Sequence, residues 1–304
     1  MHPIDLHSHS TKSDGSYTPA ELVRYAHSKG LSAIALTDHD TAEGIGEAME
    51  TAALMQKEAE ALRASGTSDN DAPVPEVIPG TELSTQYKDK DVHIVGLFID
   101  WKDPSFNARL REFADARIYR NRKMCRLLTQ GGYPITYEAL EEAFPDTVIT
   151  RAHFAQYLLD RGMISSIDEA FRKLIGDDCP YFVPREKISP QSAVSFLLSF
   201  GAVPILAHPM QYKFSEKELC ELLSSLCGIG LAGIEVYYST HKPADTALFM
   251  RLAGRYGLLP SGGSDFHGTR KKNLDLGTGY GGLYVPEIIL PPLRAKAAEI
   301  KSNI

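Results

Sequence analysis

The chain has 304 residues, 43% hydrophobic and 23% charged, which suits either one barrel-sized domain with an insertion or two ordinary domains. A formal net charge of −7 argues against a protein that coats nucleic acid over a wide surface, while leaving room for a local basic patch. Cys125, Cys179, Cys220 and Cys227 are scattered without a CxxC pair, which excludes a disulfide framework or thiolate zinc site as the expected architecture.

The start, MHPIDLHSHS, has neither a basic nor an apolar leader region. No apolar run nears the roughly 20 residues that span a bilayer, so a soluble, cytoplasmic protein is expected, with no membrane and no obligate protein partner. Residues 4–6 form the first strand candidate, followed by a polar run over 7–16. Thr18-Pro19-Ala20-Glu21 then carries a helix start: a Thr cap, Pro in the first turn and Glu at the third helical position. A strand over 33–37 leads through Asp38-His39-Asp40 into a helix over 42–62. The stretch 65–75, rich in Gly, Pro and polar residues, reads as a surface loop. Further short strands are expected at 77–79, 93–97, 203–207, 233–237 and 258–260. Helical patterns at 192–200, 216–226 and 244–256 separate the later ones. This alternation implies a parallel sheet, open or closed into a barrel. From about 102 to about 188 the strand–loop–helix pattern stops and helical segments take over. Residues 1–101 and 189–304 are therefore read as the barrel, and 102–188 as an inserted helical subdomain covering its active end. Within the insertion Arg109, Arg111, Arg117, Arg120, Arg122, Lys123 and Arg126 crowd one helix, as a solvated charged face or as a binding surface.

Six of the ten histidines then fall at strand ends, most beside an acidic residue or another histidine. His7 and His9 follow the first strand, Asp14 lies in the loop after it, and His39 follows the second. Glu82 follows the strand at 77–79 and His93 begins the next; His208 follows the strand at 203–207, and Asp265 and His267 follow the last. Active sites of barrel enzymes lie at the C-terminal ends of their strands. Residues two apart on an extended backbone share a side, so His7 with His9, and Asp265 with His267, can each serve one ion. Asp38 and His39 would point apart on an extended backbone; His39 is favoured as the ligand, with Asp38 supporting the site from behind or packing away from it. Imidazoles with carboxylates suit manganese, iron or zinc.

The strings DLHSHS (5–10), TDHD (37–40), GTELS (80–84), AHP (207–209) and SDFH (264–267) resemble the signature of the PHP family, named for polymerase and histidinol phosphatase. That resemblance implies an α/β fold, a distorted (β/α)7 TIM-like barrel, carrying two to three divalent metal ions. It implies one ion on His7, His9, Glu82 and Asp265, a second on Glu82, His93 and His208, and a third on Asp14, His39 and His267. Glu82 would bridge the first two. SDGSYTP (13–19), TRAHFA (150–155) and YFVPRE (181–186) are similar to the TrpH-like branch, whose members act on nucleoside 3′,5′-bisphosphates and trim short RNA from the 5′ end.

The implied activity is hydrolysis of a phosphate monoester by a metal-bridging hydroxide, with a nucleotide or a short oligoribonucleotide as substrate. His153 and His241 are candidates to protonate the leaving group and contact substrate. Arg151 and Arg185 are candidates to fork onto a second phosphate. The rival readings are a phosphatase for a small metabolite such as histidinol phosphate, and a metal-dependent amidohydrolase. A nucleic-acid-binding accessory module is disfavoured by the complete ligand set and the acidic balance.

Overall fold

A computed structural model describes residues 2–65, 72–88, 90–145, 147–184 and 188–304. Seven strands run in the order β1 (Ile4–Ser8), β2 (Ala33–Leu36), β3 (Glu76–Tyr87), β4 (Lys90–Leu97), β5 (Val203–Leu206), β6 (Gly233–Tyr238) and β7 (Leu259–Gly263), each beside its neighbour in sequence. Backbone bonds from Asp265 to His7 and from His9 to Phe266, both 2.9 Å, join the last strand's end to the first and draw the sheet into a barrel. The loop at 65–75 lies largely outside the described residues.

One feature departs from the expected parallel sheet. β3 pairs antiparallel with β4, and β4 antiparallel with β5, whereas the other ladders are parallel. Parallel neighbours need a crossover of a dozen or more residues, and only Lys88 and Asp89 separate β3 from β4. The hairpin also makes β3 twelve residues long, so Glu82 lies inside a strand rather than beyond one ending at 79.

The strands are flanked by α1 (Pro19–Ser28), α2 (Ile45–Ala64), α7 (Pro190–Ser199), α8 (Glu216–Cys227) and α9 (Pro243–Tyr256). The capping box foreseen at Thr18 and Glu21 is formed, with the Glu21 carboxylate 2.8 Å from the Thr18 amide. One apolar cluster joins Leu22 and Val23 of α1, Leu197 of α7, Leu222 and Leu226 of α8 and Phe249 of α9 to Ile34, Ile94, Leu206 and Ile234 of the strands. A second packs Leu290, Leu293, Ala297 and Ile300 of α10 (Leu290–Ser302) against Ile4, Leu6, Ile78, Val95 and Ile205.

Residues 104–173 supply α3 (Pro104–Gln130), α4 (Tyr137–Ala143), α5 (Arg151–Asp160) and α6 (Ile167–Lys173). Asp103 caps α3 through bonds from the Ser105 and Phe106 amides. Its first turns bury Phe106, Leu110 and Phe113 in the strand-and-helix cluster, where Phe106 stacks on Phe196 at 5.2 Å. Its last turns bury Met124 and Leu128 in a third cluster with Leu140, Phe154, Leu158 and Ile175. One helix thus ties the four-helix region to the barrel. No described helix is long and apolar enough to cross a membrane.

Candidate metal centre

The nine residues singled out as ligands converge. Glu82, from the middle of β3, lies at the centre with its side chain buried. Its Oε2 is 3.3 Å from Nε2 of both His7 and His9 and 3.1 Å from Nδ1 of His39. Its Oε1 is 2.9 Å from Nδ1 of His93 and 2.9 Å from Nε2 of His208. Asp265 Oδ1 stands 3.3 Å from His9 Nε2 and 3.7 Å from His7 Nε2. On the far side, Asp14 lies 3.2 Å from His267 Nε2 and 3.8 Å from His39 Nε2. Donor atoms close enough to share an ion occur in four sets: His9, Asp14, His39 and His267; His7, His9 and Asp265; His7, Glu82 and His208; and His39, Glu82 and His93.

Local backbone shape makes this convergence possible. His208 and Asp265 adopt positive φ, 25° and 55°, a region costly for residues with a Cβ and met where the surrounding structure enforces it. Gly263 lets β7 come close behind β1; a Cβ there would lie 2.4 Å from the His7 amide nitrogen and 2.5 Å from its Cβ. Asp38 accepts from the Ser10 amide at 2.8 Å and from the hydroxyls of Ser10 and Ser13 at 2.6 and 2.5 Å. It thereby fixes the loop that carries His9 and Asp14, rather than His39 beside it.

Several donors fit a cation better than they fit each other. The nitrogens His7 Nε2, His9 Nε2 and His39 Nδ1 are buried with no hydrogen-bond partner, which in a closed polar cluster is costly unless something accepts their lone pairs. In two of the ligand histidines, His7 and His267, the Nδ1 nitrogen is committed elsewhere. His7 Nδ1 is 2.9 Å from Glu235 Oε1, and His267 Nδ1 donates to the Asp265 carbonyl at 2.8 Å, leaving each Nε2 free to ligate. Burial opposes the charged form of Glu82, yet His7, His39 and His93 hold its carboxyl well below the usual range. Burial likewise opposes ionised Asp14 and Asp265. His39 and His267 outweigh it at Asp14, and Lys271, His267 and His7 at Asp265, so both carboxyls also sit well below that range. For His9, burial works downward, but Asp265, Glu82 and Asp14 lift it to about 9. Burial dominates at His39, which falls to about 3. A proton on His9 thus partly balances three buried carboxylates, a balance that a divalent ion would supply with release of that proton. The residues fit a multinuclear centre of hard or borderline cations.

Beside this cluster lies a cavity of about 180 Å³. Asp14, His39 and His93 line one wall, and Ser84, Arg117, Arg120, Thr150, Arg151, Ala152 and Phe171 line the rest. Arg117 and Arg120 are buried, and Arg117 donates to Asp40 and, at 3.0 Å, to Ser84. Arg151 lines the cavity but is already paired, 3.1 Å from Asp91 Oδ2 and 2.6 Å from Asp177 Oδ1. Arg185 lies outside the described residues.

The two histidines offered as proton donors fare differently. His153 caps its own helix, its Nδ1 accepting from the Thr150 amide at 2.9 Å, and burial pushes its pKa down to about 4. It is then a neutral imidazole with its proton on Nε2, able to donate a hydrogen bond but poor as a proton source. His241 Nδ1 donates to the Val236 carbonyl at 3.0 Å, its ring stacks on Phe249 at 4.8 Å, and its Nε2 is buried without a partner. Neither His153 nor His241 is among the residues that line the cavity.

Sequence reasoning missed Glu235, Lys271 and the contact of Tyr238 with Asp265. Glu235 is buried mid-strand in β6, bonding His7 with one oxygen and the His208 amide, at 2.5 Å, with the other. Lys271 Nζ and Tyr238 OH both donate to Asp265 Oδ2, at 2.6 and 2.7 Å, leaving Oδ1 for the histidines. An acidic residue within the apolar string GIEVYY was the available signal for Glu235.

A family profile described as "PHP domain" matches residues 5–175. The chain is 32% identical to a 3′,5′-nucleoside bisphosphate phosphatase of Chromobacterium violaceum, over 91% of each protein. It is 34% identical to a 5′-3′ exoribonuclease of Haemophilus influenzae, over 86% of this chain and 89% of that one. Among solved structures, a Chromobacterium violaceum protein described as an amidohydrolase, holding sulfate and no metal, superposes with a TM-score of 0.80 at 31% identity, covering 97% of this chain and 96% of its own. The profile match spans more than half of the sequence and the relatives nearly all of it: the chain belongs to the PHP family.

Proposed function

We propose that this protein hydrolyses phosphate esters of nucleotides at a centre of two to three divalent ions, and that nucleoside 3′,5′-bisphosphates are its preferred class. The observation that carries the reading is the shared cavity: metal-ligand candidates form one wall and three arginines the others. The names of the relatives, a bisphosphate phosphatase and an exoribonuclease, point the same way.

Within this reading, His7, His9, Asp265 and Glu82 would hold one ion, Glu82 with His93 and His208 a second, and Asp14, His39 and His267 a third. Bound divalent ions would neutralise phosphoryl oxygens and lower the pKa of water from 15.7 to near 7, making hydroxide available at neutral pH. The protein's own groups do the rest. Glu82 presents one oxygen to each side of the centre, Glu235 fixes the ring orientation of His7, and Lys271 with Tyr238 fixes Asp265. Arg120 and Arg117 offer planar, permanently charged donors to a second phosphate, and Arg151 completes that wall. His153 Nε2–H serves as a neutral hydrogen-bond donor. Residues 102–188 act as a helical cover that supplies these cationic contacts.

A small singly phosphorylated metabolite would engage only part of the three-arginine wall, which disfavours the histidinol phosphate alternative. An RNA 5′ end shares the phosphate chemistry and presents a diester to the same wall, so cleavage of both ester types is compatible with this site. The deciding experiment compares phosphate release from adenosine 3′,5′-bisphosphate, adenosine 5′-monophosphate and histidinol phosphate. A kcat/KM highest for the bisphosphate is expected. Equal values for the bisphosphate and monophosphate would remove the case for a second phosphate site, and a preference for histidinol phosphate would replace the nucleotide reading.

A further inference from the structure

The cavity beside the metal-ligand cluster is too small for the ligand proposed. Sites that enclose drug-sized molecules run from roughly 300 to 1,000 Å³, whereas this one holds about 180 Å³. That is room for phosphate groups between His39, His93 and the arginines, while the remainder of a nucleotide lies at the mouth. The most exposed of the residues lining the cavity is Phe171 on α6. It is a cavity-lining side chain with 36% of its surface exposed, unlike the buried Ala170 and Leu174 beside it.

Phe171 is also held in place. Its carbonyl is packed against Gly176, where a Cβ would come within 2.0 Å, and lies 3.5 Å from the Cys179 sulfur. Beside its ring, at 6.0 Å from the centroid, is the guanidinium of Arg151, which is itself fixed by Asp91, Asp177 and the Ile175 carbonyl and lies 5.2 Å from the ring of Phe182. An exposed, positioned aromatic ring next to a fixed cation, at the rim of a cationic phosphate pocket, offers a flat π-surface where a planar ring attached to that phosphate would come to rest.

We propose that Phe171 stacks on the nucleobase of the substrate and sets the preference for nucleotides over base-less phosphate esters. This rests on the nucleotide reading above. Every base has a π-face, so the contact accepts all four bases, with purines held more tightly than pyrimidines through larger overlap.

The test measures KM and kcat for adenosine 3′,5′-bisphosphate and for a base-less analogue, 1-O-methylribose 3,5-bisphosphate, in the wild type and in Phe171→Ala, Phe171→Leu and Phe171→Trp. Because Phe171 is exposed, all three variants should fold, and thermal melts check this. Loss of a stacking face should raise KM for the nucleotide roughly 5- to 150-fold, with kcat changed less, and so close the gap between the two substrates. The Leu variant, which keeps apolar bulk without a π-face, should behave like Ala, whereas Trp should match or improve on the wild type. Wild-type KM in the Leu variant, or an equal rise for both substrates in the Ala variant, would overturn the stacking role. If the wild type turns over the nucleotide but no variant changes its KM, only this inference falls. If the wild type acts on the base-less ester and not on the nucleotide, the nucleotide reading falls with it.

Discussion

On one side of the cavity, nine ligand candidates stand on or just beyond barrel strands, their positions set by backbone ladders and by Gly263, Asp38 and Glu235. On the other side, Arg117 and Arg120 project from α3, a helix that packs into the barrel with its first turns and into the four-helix region with its last. The strand wall is over-determined: His7, His9, His39 and His267 each meet two or more carboxylates, and two ligand positions adopt positive φ. The helix wall depends on the placement of one long element. The difference separates what must be rigid for chemistry from what must fit a particular ligand, and it suggests that substrate range in this fold is adjusted in the insertion without disturbing the centre.

The largest effect expected lies on the strand wall. Glu82→Gln replaces the carboxylate that faces five histidines, so turnover should fall at least about 10³-fold and metal content with it. Near-normal turnover with full metal content would show that Glu82 does not bridge. A smaller and more selective loss is expected on the helix wall. Arg120→Ala removes a charge-assisted contact of about 2–3 kcal/mol, which is roughly 30- to 150-fold in kcat/KM. That loss should appear for the bisphosphate and be much reduced for the monophosphate, with metal content unchanged. Equal slowing of both substrates would place Arg120 on the reacting phosphate or in a purely structural role. Arg117 is less clean for this purpose, because its removal leaves Asp40 buried without its cation and destabilises the fold. The smallest of the three concerns support rather than contact. Glu235→Gln keeps the shape but weakens the hold on His7, and should lower metal affinity about 10- to 100-fold. Titration with manganese followed by elemental analysis reads this directly, and unchanged affinity would mean that His7 is oriented by the strand alone.

The strand wall was readable because its signal is local: HxH, DxH and single histidines at the ends of apolar runs are visible within a few residues. Its misreadings came from pairing, which is not local. A strand ending at 79 and one continuing to Tyr87 look alike until the hairpin with β4 makes the sheet antiparallel. Glu235 stayed hidden because a single acid in an apolar strand has no partner in its own segment; His7 is more than two hundred positions away. The helix wall carried a signal that was passed over. Phe106, Leu110, Phe113, Arg117, Arg120 and Met124 recur at alternating spacings of four and three, so Arg117 and Arg120 occupy the buried stripe of α3. Counting basic residues along the helix blurred them with Arg109 and Arg122, which are exposed and paired with Glu112 and Glu138. Arg151 lines the cavity, but its pairing with Asp91 and Asp177 arises only once three segments meet.

The central claim is that these residues hold metal and use it to cleave a nucleotide phosphate ester. The direct test follows inorganic phosphate released from adenosine 3′,5′-bisphosphate by the protein as purified, after exhaustive chelation, and after manganese is returned, with elemental analysis at each stage. Two to three transition-metal ions per chain, activity lost on chelation and activity restored with the metal are the predicted results. Phosphate release undiminished in protein shown to be metal-free would contradict the account.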